Sequence, residues 1–198
     1  TTEANNYQLY QKINFNNTFF AFHYVDEAFS LPLKNIIKKY QIIYLGNFHN
    51  GTKINPHYFG EFLTKNKNEI TTFFITSTIY RSYELLISAV KTLKNEGKNF
   101  HIIVIGKVET LSKNNIPEEL NNYFTFKYRI SYSELYKDVY HSDYIIINLD
   151  PNLKEDYRFK STRVTGSAQL SYGFLKPVLI NKEFANFYNF NYSNSIII

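Results

Sequence analysis

The chain has no cysteine and no tryptophan among its 198 residues. Without cysteine it forms neither disulfides nor metal sites with thiolate ligands, and this composition fits a reducing compartment. No apolar run reaches the roughly 18 residues that a membrane-spanning helix needs, and no signal-peptide pattern is visible. We therefore expect a cytoplasmic protein that is long enough to bury a substantial core.

Charges of one sign are not clustered. No run of five or more like charges occurs, although the formal net charge is +5. Scattered lysines are typical of an ordinary basic surface, so we expect no nucleic-acid partner. The alternative interpretation is attraction to phosphate groups or to anionic lipid, which leaves peripheral association with the inner face of a membrane open.

The histidines do not form a metal site, because only His49 and His57 are close in sequence. Histidine ligands of a metal usually occur at short paired spacings. No Ser-His-Asp arrangement stands out either. The sequence therefore predicts no metal and no cofactor, and it identifies no catalytic residue.

Apolar runs and helical spacings alternate from residue 41 onward. Strands are predicted where apolar or β-branched residues follow one another, at 41–46, 72–77, 101–106, 124–128, 144–149 and 177–180, the last taken as the final strand. Helices are predicted where apolar residues recur every three or four positions, at 57–67, 83–95, 131–140 and 165–174. A single helical turn is predicted at 117–122 and a polar loop at 150–160. This alternation predicts an α/β fold with a Rossmann-like, mainly parallel sheet covered by helices on both faces.

Two helix ends have specific signals. Ser131 is followed three residues later by Glu134, which is the pattern of a capping box. Gly97 follows the last apolar position of the second predicted helix and is a natural stop. We expect one helix to begin at Ser131 and the other to end before Gly97.

Residues 1–40 differ from the rest of the chain. They are rich in Asn and aromatic residues and have no sustained period, apart from an apolar run at 19–22 that predicts a short strand. We interpret them as a lead-in segment between two domains, with the Rossmann-like domain at 41–198. Because the chain starts without Met and ends inside an apolar run, we expect a fragment that lacks its preceding domain.

Ligands of open α/β sheets bind beyond the carboxyl ends of the strands. After the predicted strand at 72–77, Ser77, Thr78 and Arg81 lead into a helix. A cation near a helix N-terminus is unfavourable unless an anion shares its position, so Arg81 indicates either a phosphate site or a solvated side chain. Lys107 follows the next predicted strand, where a surface lysine is the simpler account.

The strand end with the most groups that could bind an anion lies just before the helix that leads to the last predicted strand. Lys160 and Arg163 supply cations, Thr165 and Ser167 supply hydroxyls, and Gly166 lets backbone N–H groups approach an anion. The stretch is neither a Walker motif nor a dinucleotide-binding motif. We expect it to converge with the segment after the second strand on a diphosphate.

Five passages follow one another between residues 71 and 180. The first is a strand that leads to the basic residue Arg81 and to the helix start Glu84-Leu85-Leu86-Ile87. The other four are the passages 100–106, 126–135, 140–149 and 168–180. In this order they resemble the C-terminal, donor-binding domain of GT-B glycosyltransferases of the group 1, family 4-like kind. Each passage alone is unspecific, whereas their order is specific, and the resemblance covers somewhat over half of the chain.

The resemblance implies a nucleoside-diphosphate sugar as donor substrate. It also implies a departure from the family, because Ser161 and Gln169 stand where retaining members often carry two Glu residues. Gln169 still offers a hydrogen bond to a ribose hydroxyl, and Glu155 and Asp156 lie upstream as substitutes. The acceptor, a glycan, lipid or protein, would be bound by the missing N-terminal domain.

Three hypotheses for the function follow. The first is the donor-binding half of a glycosyltransferase of polysaccharide biosynthesis, in which cations and a helix N-terminus stabilise the departing diphosphate without a metal. The second is a non-catalytic α/β binding or interaction module derived from such a domain, which the missing Glu favours. The third is a receiver-like signalling domain, which needs an acidic pocket after the early strands, and the sequence supplies none there.

Overall fold

The computed structural model describes residues 69–76, 82–106, 116–160 and 164–198, together with the backbone of three short strands nearer the N-terminus. These strands are β1 (Phe20–Phe22), β2 (Ile42–Tyr44) and β3 (Thr52–Lys53), and they form a parallel sheet of their own. The predicted strands at 19–22 and 41–46 are therefore confirmed, but β2 pairs with β1 and β3 and not with the larger sheet. The predicted helix at 57–67 lies outside the described residues, and the domain boundary at residue 40 stays a prediction.

A second sheet has six strands, all parallel. They are β4 (Thr71–Thr76), β5 (Phe100–Gly106), β6 (Phe124–Tyr128), β7 (Tyr144–Ile147), β8 (Val178–Ile180) and β9 (Ser195–Ile197). Their spatial order is β6-β5-β4-β7-β8-β9. Counted from β4, this is the order 3-2-1-4-5-6 of the Rossmann fold. The predicted α/β, Rossmann-like fold is confirmed.

Helices connect the strands of this sheet. They are α1 (Glu84–Asn95), α2 (Tyr132–His141), α3 (Gly166–Phe174) and the short α4 (Lys182–Ala185). Within the described ranges, 3₁₀ helices lie at Glu118–Tyr123, Lys154–Lys160 and Asn186–Tyr188. Among the described residues, none of these helices is long and apolar enough to cross a membrane.

The two faces of the six-stranded sheet bury two separate apolar clusters. Phe74 and its neighbour Ile75 are both completely buried, but they point to opposite faces because side chains alternate along a strand. Phe74 packs in the cluster under α2, α3 and α4, and Ile75 packs in the cluster under α1. Both faces of β4 are therefore covered, as its continuous apolar run predicts.

The predicted helix ends are confirmed. The Ser131 hydroxyl accepts the N–H of Glu134, and the Glu134 carboxylate accepts the N–H of Ser131, at 3.2 and 2.9 Å. The hydrogen bond from the Ser131 N–H holds the pKa of the Glu134 carboxyl below its ordinary value. Gly97, just after α1, has a φ of 65°, a conformation that glycine adopts without strain.

Three predicted elements need correction. The stretch at 150–160 is not a plain loop, because a 3₁₀ helix begins at Lys154 and places Asp156 in the interior, where its carboxylate accepts the N–H of Asp150 at 2.9 Å. β7 ends at Ile147, two residues earlier than predicted. β8 is not the final strand, since β9 adds a parallel edge strand of only three residues, too short to show a pattern.

Candidate functional site

The crevice of this sheet lies between β4 and β7. These two strands are neighbours, yet the chain leaves β4 toward β5 on one side and leaves β7 toward β8 on the other. In open α/β sheets such a switch of direction creates a crevice beyond the carboxyl ends of the two strands. Here those ends are Thr76 and Ile147.

The start of α3 lies directly against the end of β4. The hydroxyl oxygens of Thr76 and Ser167 are 2.5 Å apart and share a hydrogen bond, although the two residues are 91 positions apart in the chain. Ser167 is completely buried. The end of β4 and the start of α3 therefore meet at one point of the carboxyl edge of the sheet.

The N-terminus of α3 lacks a side-chain cap. Its N-cap residue, Thr165, makes no capping hydrogen bond through its side chain, and the first turn contains no acidic residue. Gly166 is exposed, and a Cβ atom added to it would meet nothing within 4 Å. The first N–H groups of a helix have no acceptor within the helix and carry a partial positive charge. An exposed residue at a helix start that lacks a side-chain cap is a place where an anion can bind.

A cleft of about 260 Å³ lies at the same edge of the sheet. Asn148 and Ser82 both line it. The side-chain amide of Asn148 donates to the Ser82 carbonyl at 3.1 Å and so joins the end of β7 to the start of α1. The polar lining residues are Ser82, Glu84, Asn148, Asp150, Asn152 and Asn181, beside apolar side chains that include Leu85 and Leu179.

The charge of this cleft differs from that of the helix end. Glu84 and Asp150 contribute two carboxylates, and none of the described lining residues is Lys or Arg. A phosphate group would be repelled by these carboxylates. Hydroxyl groups are suited to them, because carboxylates and amide oxygens accept hydrogen bonds from O–H donors.

Lys160 is at the end of the 3₁₀ helix that precedes α3, and its charge is already partnered. Its ammonium group forms an ion pair with the Glu183 carboxylate. The same ammonium lies 4.8 Å from the ring centre of Phe184 and 4.9 Å from that of Tyr157. For Lys160 to bind a phosphate, it has to leave Glu183 or share its hydrogen bonds.

The remaining described candidates lie on α3. Thr165 is the residue before the helix, is buried, and donates its N–H to the Tyr188 hydroxyl at 3.3 Å. Gln169 is half-buried in the first turn, and its N–H bonds to the Thr165 carbonyl. Ser77, Thr78, Arg81, Lys107 and Arg163 are outside the described residues, so their roles stay predictions.

Two residues of this region carry no signal in the sequence. The Nε atom of Arg158 is buried and has no hydrogen-bond partner in the part of the chain that the structure describes, while its guanidinium lies 5.1 Å from the ring centre of Phe159. The Tyr188 hydroxyl donates to the Phe159 carbonyl at 2.8 Å and accepts the N–H of Thr165 at 3.3 Å. Asn148 could have been found, since a polar residue directly after a buried parallel strand sits at the ligand edge of the sheet.

No protein-family model and no curated protein matches the chain. Among solved structures, it is similar to the glycosyltransferase GlyE of Streptococcus pneumoniae TIGR4, at 13% identity over 60% of this chain and 27% of that chain, with a TM-score of 0.35. The apo form of GlyE gives 15% identity over 58% and 25% of the two chains, with the same TM-score. The chain thus spans about a quarter of the length of these structures, and a likeness of this strength assigns no function.

Proposed function

We propose that this chain is the donor-binding part of a glycosyltransferase, which moves a sugar from a nucleoside-diphosphate donor to a glycan, lipid or protein acceptor. The observation that carries the proposal is the pairing of two unlike sites at one sheet edge. An uncapped helix N-terminus at Gly166 suits an anion, and a cleft lined by Glu84 and Asp150 suits a neutral group rich in hydroxyls. A nucleotide-sugar contains both kinds of group.

The diphosphate belongs at the start of α3. Its oxygens would accept a hydrogen bond from the N–H of Gly166, the exposed first residue of the helix, where the helix dipole favours negative charge. Arg163 lies three residues before Gly166 in the sequence, and Arg81 follows β4, whose last residue Thr76 bonds to Ser167. Both arginines would add charge-assisted hydrogen bonds. When the bond between the anomeric carbon and the phosphate oxygen breaks, the leaving diphosphate gains negative charge, and fixed donors at this place would stabilise it.

The sugar ring belongs in the cleft. Its volume of about 260 Å³ lies below the roughly 300–1,000 Å³ of pockets that enclose a drug-sized ligand, so it would take one ring and not a whole nucleotide-sugar. Carboxylate and amide groups would accept the ring hydroxyls, and Leu85 and Leu179 would pack against its C–H groups. The acceptor would be presented by a separate domain of the complete protein.

The proposal is tested by titrating the chain with UDP and GDP in a calorimeter. We expect one of them to bind with micromolar affinity. Because a hydrogen bond to a charged group contributes about 1.5–3 kcal/mol, Arg81→Ala and Arg163→Ala should each weaken binding by about ten- to a hundredfold. Lys91→Ala is the matched control. Lys91 is exposed in the second half of α1, so its substitution removes one positive charge at a place away from the site. Failure of both nucleotides to bind would contradict the proposal.

A larger side chain at Leu85 separates the two sites. Leu85 lines the cleft and is 74% exposed, so Leu85→Trp should fold normally and occupy the space of the sugar ring. We expect the affinity for the nucleoside diphosphate to stay unchanged, and the additional affinity for the nucleotide-sugar to disappear. Lys91→Trp places the same ring farther along α1 and should change neither affinity. Equal weakening of both ligands by Leu85→Trp would place the sugar elsewhere.

The alternative is a non-catalytic binding module, and two features favour it. Lys160, the described cation nearest the start of α3 in sequence, is engaged by Glu183, and Gln169 stands where the resembling family often has a carboxylate. Such a module would bind the nucleotide-sugar but would not consume it. Donor hydrolysis or transfer by the complete protein, measured as release of nucleoside diphosphate, distinguishes the two functions.

A further inference from the structure

We propose that the sugar bound in the cleft carries a protonated amino group in place of one hydroxyl. This selectivity of the cleft rests on the proposed function, which by itself needs only a ring rich in hydroxyls at this place. The polar groups that line the cleft are mostly hydrogen-bond acceptors, and two of them are carboxylates. An ammonium group is the sugar substituent that offers both hydrogen-bond donors and a positive charge.

The amide side chains of the cleft leave more acceptors than donors for a ligand. The Asn148 amide nitrogen donates to the Ser82 carbonyl at 3.1 Å, and the Asn152 amide nitrogen donates to Asp150 Oδ1 at 3.1 Å. No described residue donates to the oxygen of either amide, so both oxygens are available to a ligand. Asn181 is the opposite case, because its oxygen accepts a backbone N–H at 2.9 Å and its nitrogen is left to donate.

The two carboxylates reach the cleft from different elements. Glu84 lies in the first turn of α1, and Asp150 follows the end of β7 by three residues. Asp150 Oδ1 accepts two N–H groups of Asn152, at 2.8 and 3.1 Å, which leaves Oδ2 for a ligand. Within the described residues, neither carboxylate forms an ion pair with a Lys or Arg side chain. A positively charged group in the cleft would therefore be attracted to both.

The size of the cleft allows this substituent. An ammonium group is about as large as the hydroxyl that it replaces, so one ring still fits the volume of about 260 Å³. An N-acetyl group at the same carbon is larger and has no charge. The cleft should therefore distinguish a free amine both from a hydroxyl and from an acetylated amine.

The test compares UDP-glucose with the four UDP sugars in which an amino group replaces its hydroxyl at carbon 2, 3, 4 or 6, or with the GDP sugars if the chain prefers guanine. Affinities are measured by calorimetry at pH 7, with EDTA present to keep divalent cations away from the carboxylates. We expect at least one amino sugar to bind about tenfold more tightly than the glucose compound, because Coulomb attraction adds to the hydrogen bonds. Its N-acetyl derivative should lose this advantage. No preference for any of the four amino sugars would overturn the proposal.

Two variants assign the preference to the cleft. Glu84→Gln and Asp150→Asn each remove one charge and keep the shape of the side chain, so each should reduce the preference, and the double variant should abolish it. Glu96→Gln is the matched control, since Glu96 is exposed at the other end of α1 and should leave the preference unchanged. A double variant that keeps the full preference would also overturn the proposal. If neither UDP nor GDP binds, the proposed function fails as well, whereas binding of the nucleotide without a preference for an amino sugar overturns the amino-group proposal alone.

Discussion

Gly166→Asp is expected to stabilise the protein and to abolish diphosphate binding. A carboxylate in the first turn of a helix interacts favourably with the helix dipole, by about 0.3–1 kcal/mol. The new side chain has room, because a Cβ at Gly166 meets nothing within 4 Å. Near a protein surface, two like unit charges about 4 Å apart repel by about 4 kcal/mol, and half of that is already more than tenfold in affinity. The midpoint temperature of thermal unfolding should therefore rise, and the affinity for UDP or GDP should fall.

Gly166→Asn is the matched control for this variant. It adds a side chain of the same shape without the charge, so it should keep most of the affinity that Gly166→Asp loses. Raising the salt concentration should restore part of the affinity to the Asp variant and little to the Asn variant, because salt screens exposed charges. If Gly166→Asp binds nucleotide as well as the unaltered chain does, the diphosphate does not lie at the start of α3.

Removal of either hydroxyl at the junction of β4 and α3 is expected to destabilise the fold. Ser167 is completely buried and bonds to Thr76, so Thr76→Val leaves the Ser167 hydroxyl without its partner in a place that water does not reach. An unsatisfied buried hydroxyl costs about 1–3 kcal/mol. Ser167→Ala should have a smaller effect, because Thr76 is only half-buried and water can take over its bond. The free energy of unfolding in urea measures both changes.

The double variant Thr76→Val with Ser167→Ala tests whether the two hydroxyls act together. We expect it to be more stable than Thr76→Val alone, because the unsatisfied hydroxyl has been removed. Contacting residues that share one hydrogen bond typically show coupling energies of about 0.5–3 kcal/mol in such a cycle. Strictly additive effects would mean that β4 and α3 do not meet at this bond.

Much of the six-stranded sheet could be predicted from the sequence, since its central strands are continuous apolar runs. The run at 72–77 has to be buried on both faces, and the structure buries Phe74 and Ile75 on opposite sides. Helix ends were also predictable where one residue type is required, as at Ser131 and Gly97. These are local signals, and they depend little on the rest of the fold.

The elements that were mispredicted depend on distant contacts. β9 has three residues and is a strand only because it adds to the edge beside β8. The 3₁₀ helix beginning at Lys154 is built around the buried Asp156, a residue type that a pattern places on the surface. β2 is an apolar run like the strands of the larger sheet, but it pairs with β1 and β3. Its own sequence does not show which strands it pairs with.

The candidate site was predictable to the same extent. A Gly with neighbouring hydroxyl residues at the start of a helix predicted an anion site, which stays a prediction. The structure places Gly166 at the start of α3, exposed and after an N-cap residue without a side-chain capping bond. The sequence did not indicate the ion pair between Lys160 and Glu183, since the two residues are 23 positions apart. It did not indicate the two hydrogen bonds of the Tyr188 hydroxyl either, because a buried tyrosine near two phenylalanines has the pattern of an ordinary core residue.

The most direct test of the central claim is a crystal structure of the chain soaked with the nucleoside diphosphate that it binds. We predict that a phosphate oxygen lies within hydrogen-bond distance of the Gly166 N–H, with the guanidinium groups of Arg81 and Arg163 beside the diphosphate. A nucleotide bound at another edge of the sheet, or guanidinium groups that point away from each other across the domain, would contradict it.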